Sequence, residues 1–211
     1  VMLPVSLFLI KPLLILFGAT GDVLGYAASF LKVNFTFSII IFLFVGINNA
    51  LQGSGDAKTP LHALVIANIL NAILVPLLIM GYGPFPAMGV VGSAVATVST
   101  RGIGLVFLFI HLLFGHSTIH LKVKHFKPHP YLMRKIVSIG FFASLQVFIR
   151  EISFLFLMRL VTSFGTITLA AYGIGSRLRS YIMVPGFGFA SAASVLVGQN
   201  LGAGKPERAE K

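Results

Sequence analysis

Residues 136–161 read IVSIGFFASLQVFIREISFLFLMRLV, a mostly apolar stretch with one acid near its centre. An α-helix rises ~1.5 Å per residue, so a helix of this length crosses the ~30 Å hydrocarbon core of a bilayer with some tilt. The acid is Glu151. A carboxylate at that depth is costly unless it is protonated, paired with a cation or in contact with water. The stretch therefore predicts a membrane span and makes Glu151 the first candidate for ion or proton chemistry.

The whole chain shares this apolar character. It has 211 residues, of which 56% are hydrophobic and 10% charged, whereas soluble domains carry about 25% charged residues. It contains no cysteine, which excludes disulfides and thiolate metal sites within it. The net charge of +11 does not predict nucleic-acid binding, because the basic residues cluster between apolar stretches, as in cytoplasmic loops of membrane proteins.

The hydropathy pattern predicts an all-α integral membrane protein with six transmembrane helices. The last of these is long enough to project beyond the bilayer or to bend at Pro185. A loop is expected over 163–175, before this last span. Both ends of the chain interrupt such patterns, so we expect a longer protein. The predicted spans are about 2–17, 26–51, 61–80, 90–114, 136–161 and 169–201.

Lysine and arginine are distributed unevenly between the connecting segments. They occur in 52–60, 115–135 and 202–211, and the intervening turns contain none. The positive-inside rule places the three basic segments in the cytoplasm, so we expect a multi-pass protein of the cell membrane. The longest of these segments reads as a linker over 116–134.

Small residues recur at every fourth position in two of the predicted spans. Residues four apart lie on one ridge of a helix, and small side chains allow a neighbouring backbone to approach closely. Both ridges are therefore predicted to be packing surfaces. They consist of Gly92, Ala96, Thr100 and Gly104, and of Gly186, Ala190, Ser194, Gly198 and Gly202.

Glu151 is predicted to lack an ion-pair partner on its own helix. Arg150 is the adjacent residue and points about 100° away around the helix, which makes pairing poor. Arg159 lies two turns further on, too far for direct contact. An acid within a span usually marks an ion or substrate pathway, and we expect a cation site at Glu151.

Four polar residues within spans are further candidates for the substrate or ion pathway: Asn68, Asn71, Gln146 and Tyr181. Hydrogen bonding between helices explains such residues equally well, and the sequence leaves both readings open.

Other kinds of site are not predicted. The histidines of the linker, His116, His120, His125 and His129, have no nearby acid, so no metal is expected, although a membrane enzyme using them remains an alternative. The glycine-rich segments 52–56 and 198–204 lack the lysine and serine of a phosphate-binding loop. With no catalytic motif, the chain is not predicted to be an enzyme.

Several segments resemble the multidrug and toxic compound extrusion (MATE) transporters. They are LQGSGDAKTP (51–60), NAILVPLLIMGYG (71–83), MGVVGSAVATVST (88–100) and residues 169–211, which include GQNLGAG. The resemblance implies a two-lobe, twelve-helix transporter, usually monomeric, of which this chain supplies the third to eighth helices. Residues 1–115 would then be the last four helices of the N-lobe, 116–134 the interlobe linker, and 135–211 the first two helices of the C-lobe.

The resemblance also implies a function: efflux of cationic or amphipathic drug-like compounds in exchange for Na⁺ or H⁺ by alternating access, with no other cofactor. The family often has a cation-binding acid on its seventh helix, where Glu151 stands. Its Asn-x-x-x-Asp-Pro motif reads Asn71, Val75 and Pro76 here, without the aspartate, which favours Glu151 as the coupling site. A lipid-linked or polysaccharide flippase of a related superfamily is the alternative, and the arginines favouring it are Arg150, Arg159, Arg177 and Arg179.

Overall fold

The computed structural model describes residues 9–16, 21–83, 85–114 and 129–210. All regular structure in these ranges is α-helical, as the sequence predicts. Numbered in chain order, the helices are α1 (Ile10–Leu16), α2 (Gly21–Thr36), α3 (Ser38–Gly53), α4 (Lys58–Met80), α5 (Val90–Phe114), α6 (Pro130–Ser163), α7 (Thr166–Gly202) and α8 (Pro206–Ala209).

Four helices, α4 to α7, are long and apolar enough to cross a membrane, and α2 with α3 adds a fifth span if the pair is counted as one. Of the six predicted spans, half of the first lies outside the described residues, and the other half contains α1. Most of the predicted linker, residues 116–128, also lies outside them.

The chain forms two compact units. The first comprises Val1–Leu121 together with Gly198–Lys211, and the second comprises Lys122–Val197. In the first unit α5 is the central helix, because it packs against α2, α3 and α4. The apolar core of this unit consists of Phe44, Leu51, Ala63, Leu105, Leu108 and Leu112.

The small-residue ridge of α5 is a packing surface, as predicted. A Cβ on Gly92 would lie 2.6 Å from the carbonyl oxygen of Leu78 in α4, and a Cβ on Gly104 would lie 2.6 Å from Cε2 of Phe44 in α3. Between them Ala96 and Thr100 are buried. Glycine at the ends of the ridge therefore lets two neighbouring helices approach the α5 backbone.

The span predicted over 26–51 consists of two helices, α2 and α3, with a bend between them. Helices α2 and α3 meet at an angle of 55°. Phe37 lies between them with φ −101° and ψ 16°; its N–H donates to the Val33 carbonyl, whereas the Ile40 N–H donates to the Phe37 carbonyl. The hydrogen-bond spacing thus tightens from four residues to three, which bends the chain with neither proline nor glycine at the break.

The second unit contains most of α6 and α7, which are longer than predicted. Helix α6 begins at Pro130, before the expected start at Ile136, and α7 begins at Thr166, so the loop predicted over 163–175 is wrong and only a short turn separates the helices. Helix α7 also continues through Pro185. Neither helix has a buried residue.

The predicted small-residue ridge of α7 has no neighbour within the described residues: a Cβ on Gly186, Gly198 or Gly202 would meet nothing within 4 Å. A packing role for this ridge stays a prediction.

Candidate functional site

Glu151 lies well inside α6, where the sequence predicts a deep acid. Its Oε1 is 3.7 Å from a guanidinium nitrogen of Arg150, and the two side chains are 61% and 70% exposed, respectively. This long, exposed contact agrees with the expectation that Arg150 pairs poorly with Glu151. Both side chains are long enough to bend around the helix surface, although 3.7 Å is too long for a direct hydrogen bond. Glu151 thus has a nearby counter-charge and an accessible carboxylate.

Nothing else in the described part of the chain approaches the Glu151 carboxylate as an ion-pair partner. Arg159 makes no ion pair with it, in agreement with the sequence prediction. Gln146 and Tyr181, the other candidates in the second unit, are exposed and form no side-chain hydrogen bond with described residues. The structure therefore does not bring Gln146 or Tyr181 together with Glu151 through hydrogen bonds or ion pairs.

Asn71 lies between α4 and α5. Its Nδ2 is 3.5 Å from Oγ1 of Thr97 and 3.4 Å from Oγ1 of Thr100, which places a polar contact inside the helix pair. Thr97 and Thr100 in turn donate to carbonyls of their own helix. These contacts correspond to hydrogen bonding between helices, one of the two readings of Asn71. Asn68, one turn earlier on α4, is exposed.

A polar cluster at the start of α4 was not predicted from the sequence. The backbone N–H of Thr59 donates to Oδ1 of Asp56 at 3.1 Å, the geometry of a helix-capping side chain. From the far end of α5, Nε2 of His111 lies 3.0 Å from Oγ1 of Thr59 and 3.7 Å from Oδ2 of Asp56. The cluster thus joins the first turn of α4 to the last turn of α5.

The pKa of Asp56 is lowered from its ordinary value of 3.8. Partial burial opposes ionisation, but the hydrogen bonds from Thr59, the positive potential of His111 and a hydrogen bond from the Lys58 backbone outweigh it. The sequence contained a signal for the cap, since Asp-x-x-Thr precedes an apolar run. Nothing in it indicated that His111, over fifty residues away, would reach the same point.

A second missed feature is Arg101. Its guanidinium carbon lies 5.1 Å from the centre of the buried Phe44 ring, a cation–π contact between α5 and α3. Arg101 is half-buried and makes no ion pair with a described acid.

The described residues contain no group of three or more His, Asp or Glu side chains that could hold a metal. Of the linker histidines, His116, His120 and His125 lie outside the described residues, and His129 precedes α6.

Comparison with known proteins completes the description of the chain. A family model described as MatE matches residues 1–77 and 143–211. The chain is 27% identical over 196 residues to the probable multidrug resistance protein YoeA of Bacillus subtilis, covering 92% of this chain and 42% of that protein. It is 29% identical over 203 residues to a FAD transporter of Shewanella oneidensis, covering 96% of this chain and 45% of that protein.

A solved structure shares the fold: a MOP superfamily transporter from Pyrococcus furiosus, reported with a reverse polarity of its binding pocket that suggests a different function. It superposes with a TM-score of 0.86 at 26% identity, covering 99% of this chain and 45% of that one. The chain spans less than half the length of these relatives. The helices and the relatives together show a multi-pass membrane protein.

Proposed function

The chain belongs to the MatE (multidrug and toxic compound extrusion) family, and from this premise we propose that it forms part of a monomeric, secondary-active exporter in the cell membrane. The exporter moves cationic or amphipathic compounds in exchange for Na⁺ or H⁺ by alternating access. Relatives named as transporters and multidrug resistance proteins support transport over catalysis. The basic segments 52–60, 115–135 and 202–211 face the cytoplasm.

Glu151 carries this proposal. It is the only acid of the chain placed well inside an apolar helix: Asp22 lies in the first turn of α2, Asp56 precedes α4, and Glu207 and Glu210 lie in or beside the short α8. An ionisable group within a membrane span is expensive and usually belongs to an ion or substrate pathway. Its accessible carboxylate suits a cation that enters from water.

Arg150 occupies the Glu151 carboxylate in a way that another cation can replace. At 3.7 Å its guanidinium neutralises Glu151 without the close hydrogen bonds that would hold the pair permanently. A coupling cation or a cationic compound displaces Arg150 and takes its place. Because both ligands need the same carboxylate, binding of one excludes the other, and each biases the two access states differently. Asn68, Gln146 and Tyr181, which are exposed, are each proposed to contact a transported ion or compound.

The test is Glu151→Gln in the full-length protein, which keeps the side-chain shape and removes the charge. Ethidium efflux driven by a Na⁺ or H⁺ gradient, measured in proteoliposomes, should fall by about ten-fold or more, as expected when a charge-assisted contact worth about 1.5–3 kcal/mol is lost. The variant should elute as a single species in detergent, because the exposed carboxylate stabilises no packed core.

Glu207→Gln is the matched control, since it removes the same charge outside the spans and should leave efflux unchanged. Ethidium efflux by Glu151→Gln equal to that of the unmodified protein would contradict the proposed coupling role.

A second candidate is export of compounds that carry anionic groups. The described helices α4 to α7 contain the arginines Arg101, Arg134, Arg150, Arg159, Arg177 and Arg179 against the single acid Glu151. One relative is named as a FAD transporter, and FAD carries phosphate groups. Gradient-driven accumulation of an anionic dye in preference to ethidium would favour this candidate.

A further inference from the structure

Arg101 lies about midway along α5, a span of 25 residues. Each end of the helix is therefore about 16 to 20 Å away along its axis. An arginine side chain is too short to reach either surface of the bilayer from that depth. Its guanidinium does not lose its proton in proteins, so the charge must be compensated where it lies.

The described residues do not supply that compensation. No carboxylate among them lies within ion-pair distance of Arg101, and no described group accepts a hydrogen bond from its guanidinium. Among the described residues, the guanidinium makes one electrostatic contact, a cation–π contact with the face of the Phe44 ring 5.1 Å away. A ring face attracts a cation but accepts none of the five N–H donors of the guanidinium.

The position of the guanidinium is nevertheless fixed by packing. Phe44 is 1% exposed and belongs to the core of the first unit. Gly104, nearly one turn after Arg101 on α5, makes room for this ring, since a Cβ there would lie 2.6 Å from Cε2 of Phe44. A rigid aromatic ring thus holds a cation at the mid-depth of the span, and none of the described residues accepts a hydrogen bond from its planar set of donors.

We propose that Arg101 binds an oxyanion group, a carboxylate or a phosphate, of the compound that this protein transports. This inference rests on the proposed transport function and adds an anion-recognising residue to it. The guanidinium fork matches the two oxygens of a carboxylate or phosphate, and such a charged pair is stronger inside a protein than in bulk water.

The test compares binding of two dyes to the purified full-length protein in detergent: carboxyfluorescein, an anion, and ethidium, a cation. Arg101→Gln should weaken carboxyfluorescein binding by roughly 10- to 100-fold, the range for loss of a charged hydrogen-bonded contact. Ethidium binding should be unchanged. Arg101→Lys should bind carboxyfluorescein with intermediate affinity, because lysine keeps the charge and loses the fork.

Lys58→Gln is the matched control, because it removes one exposed positive charge at the start of α4 and should leave both affinities unchanged. Equal carboxyfluorescein affinity in Arg101→Gln and the unmodified protein would overturn the inference. A purely structural role would also overturn it. In that case Arg101→Gln would lose its folded state and the binding of both dyes, and Arg101→Lys would recover the binding of both. An unmodified protein that binds neither dye contradicts the proposed function, and this inference with it.

Discussion

At the scale of single residues, Asp56 does more than cap a helix. Its two carboxylate oxygens have different partners: Oδ1 accepts the Thr59 N–H, and Oδ2 faces His111 at 3.7 Å. The first contact stabilises the start of α4, and the second connects it to the end of α5. An acid in a polar loop therefore contributes to packing between two spans.

Asp56→Ala should lower the apparent Tm of the protein in detergent at neutral pH, because the loss of a cap costs about 0.5–2 kcal/mol. The pH dependence follows from the lowered pKa. Above 3.8 the carboxylate is ionised in both the folded and the unfolded chain, and its stabilisation is complete. As the pH falls through the lower folded-state pKa, this contribution is lost. The Tm difference between the unmodified protein and Asp56→Ala should therefore shrink in acid.

Asp56→Asn separates the cap from the charge, since asparagine also accepts the Thr59 N–H. It should be more stable than Asp56→Ala. The role of the charge would be contradicted if the Tm difference between the unmodified protein and Asp56→Ala were the same at neutral and at acid pH.

At the scale of helices, the interface of α4 and α5 depends on how closely two backbones approach. Gly92 of α5 lies against the carbonyl group of Leu78 in α4. The turn after α4 contacts the same carbonyl, since the Met88 N–H donates to it at 2.9 Å. Gly81 ends α4 with φ +74°, and a Cβ there would lie 2.6 Å from the backbone nitrogen of Ala87. The turn and the small-residue ridge thus act together to join the two spans.

Gly92→Ala should destabilise the protein by about 1–3 kcal/mol, because the new methyl group meets backbone atoms of α4 that cannot rotate away. Gly102→Ala is the matched control on the same helix. Its Cβ would have one neighbour, Cγ2 of Ile40 at 3.9 Å, which is ordinary contact. Thermal unfolding in detergent should show a lower Tm for Gly92→Ala and an unchanged or higher one for Gly102→Ala. Equal Tm values for the two variants would contradict the close approach.

At the scale of the whole molecule, the end of α7 contacts the end of α3. Nε2 of Gln199 donates to the Gly53 carbonyl at 3.2 Å, and a Cβ on Gly55 would lie 2.9 Å from the same nitrogen. Gly53 and Gln199 belong to the first unit, and both lie in or next to segments that the positive-inside rule predicts to be cytoplasmic. The contact joins two glycine-rich segments that are far apart in the sequence.

Cysteines introduced at Gly53 and Gln199 should become linked by a short bifunctional thiol reagent, and this chain contributes no native cysteine. A Cβ on Gly53 meets open space, so the substitution is tolerated. With a protease site inserted in 115–128, cleavage gives two fragments, and the cross-link should keep them joined on a gel.

If alternating access separates Gly53 from Gln199, efflux should stop in the cross-linked protein. Single-cysteine variants are the controls, and separation of the fragments after reagent treatment would contradict the contact.

The fold was largely predictable from local composition. Spans 61–80 and 90–114 match α4 and α5 closely, because long apolar runs bounded by glycine and proline leave few alternatives. The break at Phe37 was not predictable, since it depends on a change of hydrogen-bond spacing with no proline or glycine to mark it. The sequence predicts the start of α7 too late. The turn after α6 already ends at Gly165, which has φ +97°.

The candidate site was predictable only in part. Glu151 could be selected because one acid in an apolar helix is visible without a structure. Its contact with Arg150 depends on side-chain conformation, which helical geometry alone did not reveal. Asn71 could be named, but its contacts with Thr97 and Thr100 required the pairing of α4 with α5.

The sequence by itself determined the membrane-spanning, all-helical character of this protein, the small-residue ridge of α5 and the isolation of Glu151 from other acids. These are consequences of composition and of the helical repeat, which act within one segment. Only the tertiary structure decided that His111 meets Asp56, that Arg101 rests on Phe44 without a carboxylate, and that Gln199 reaches Gly53. Such contacts join residues distant in the chain, and they depend on which helices pack together rather than on any local pattern.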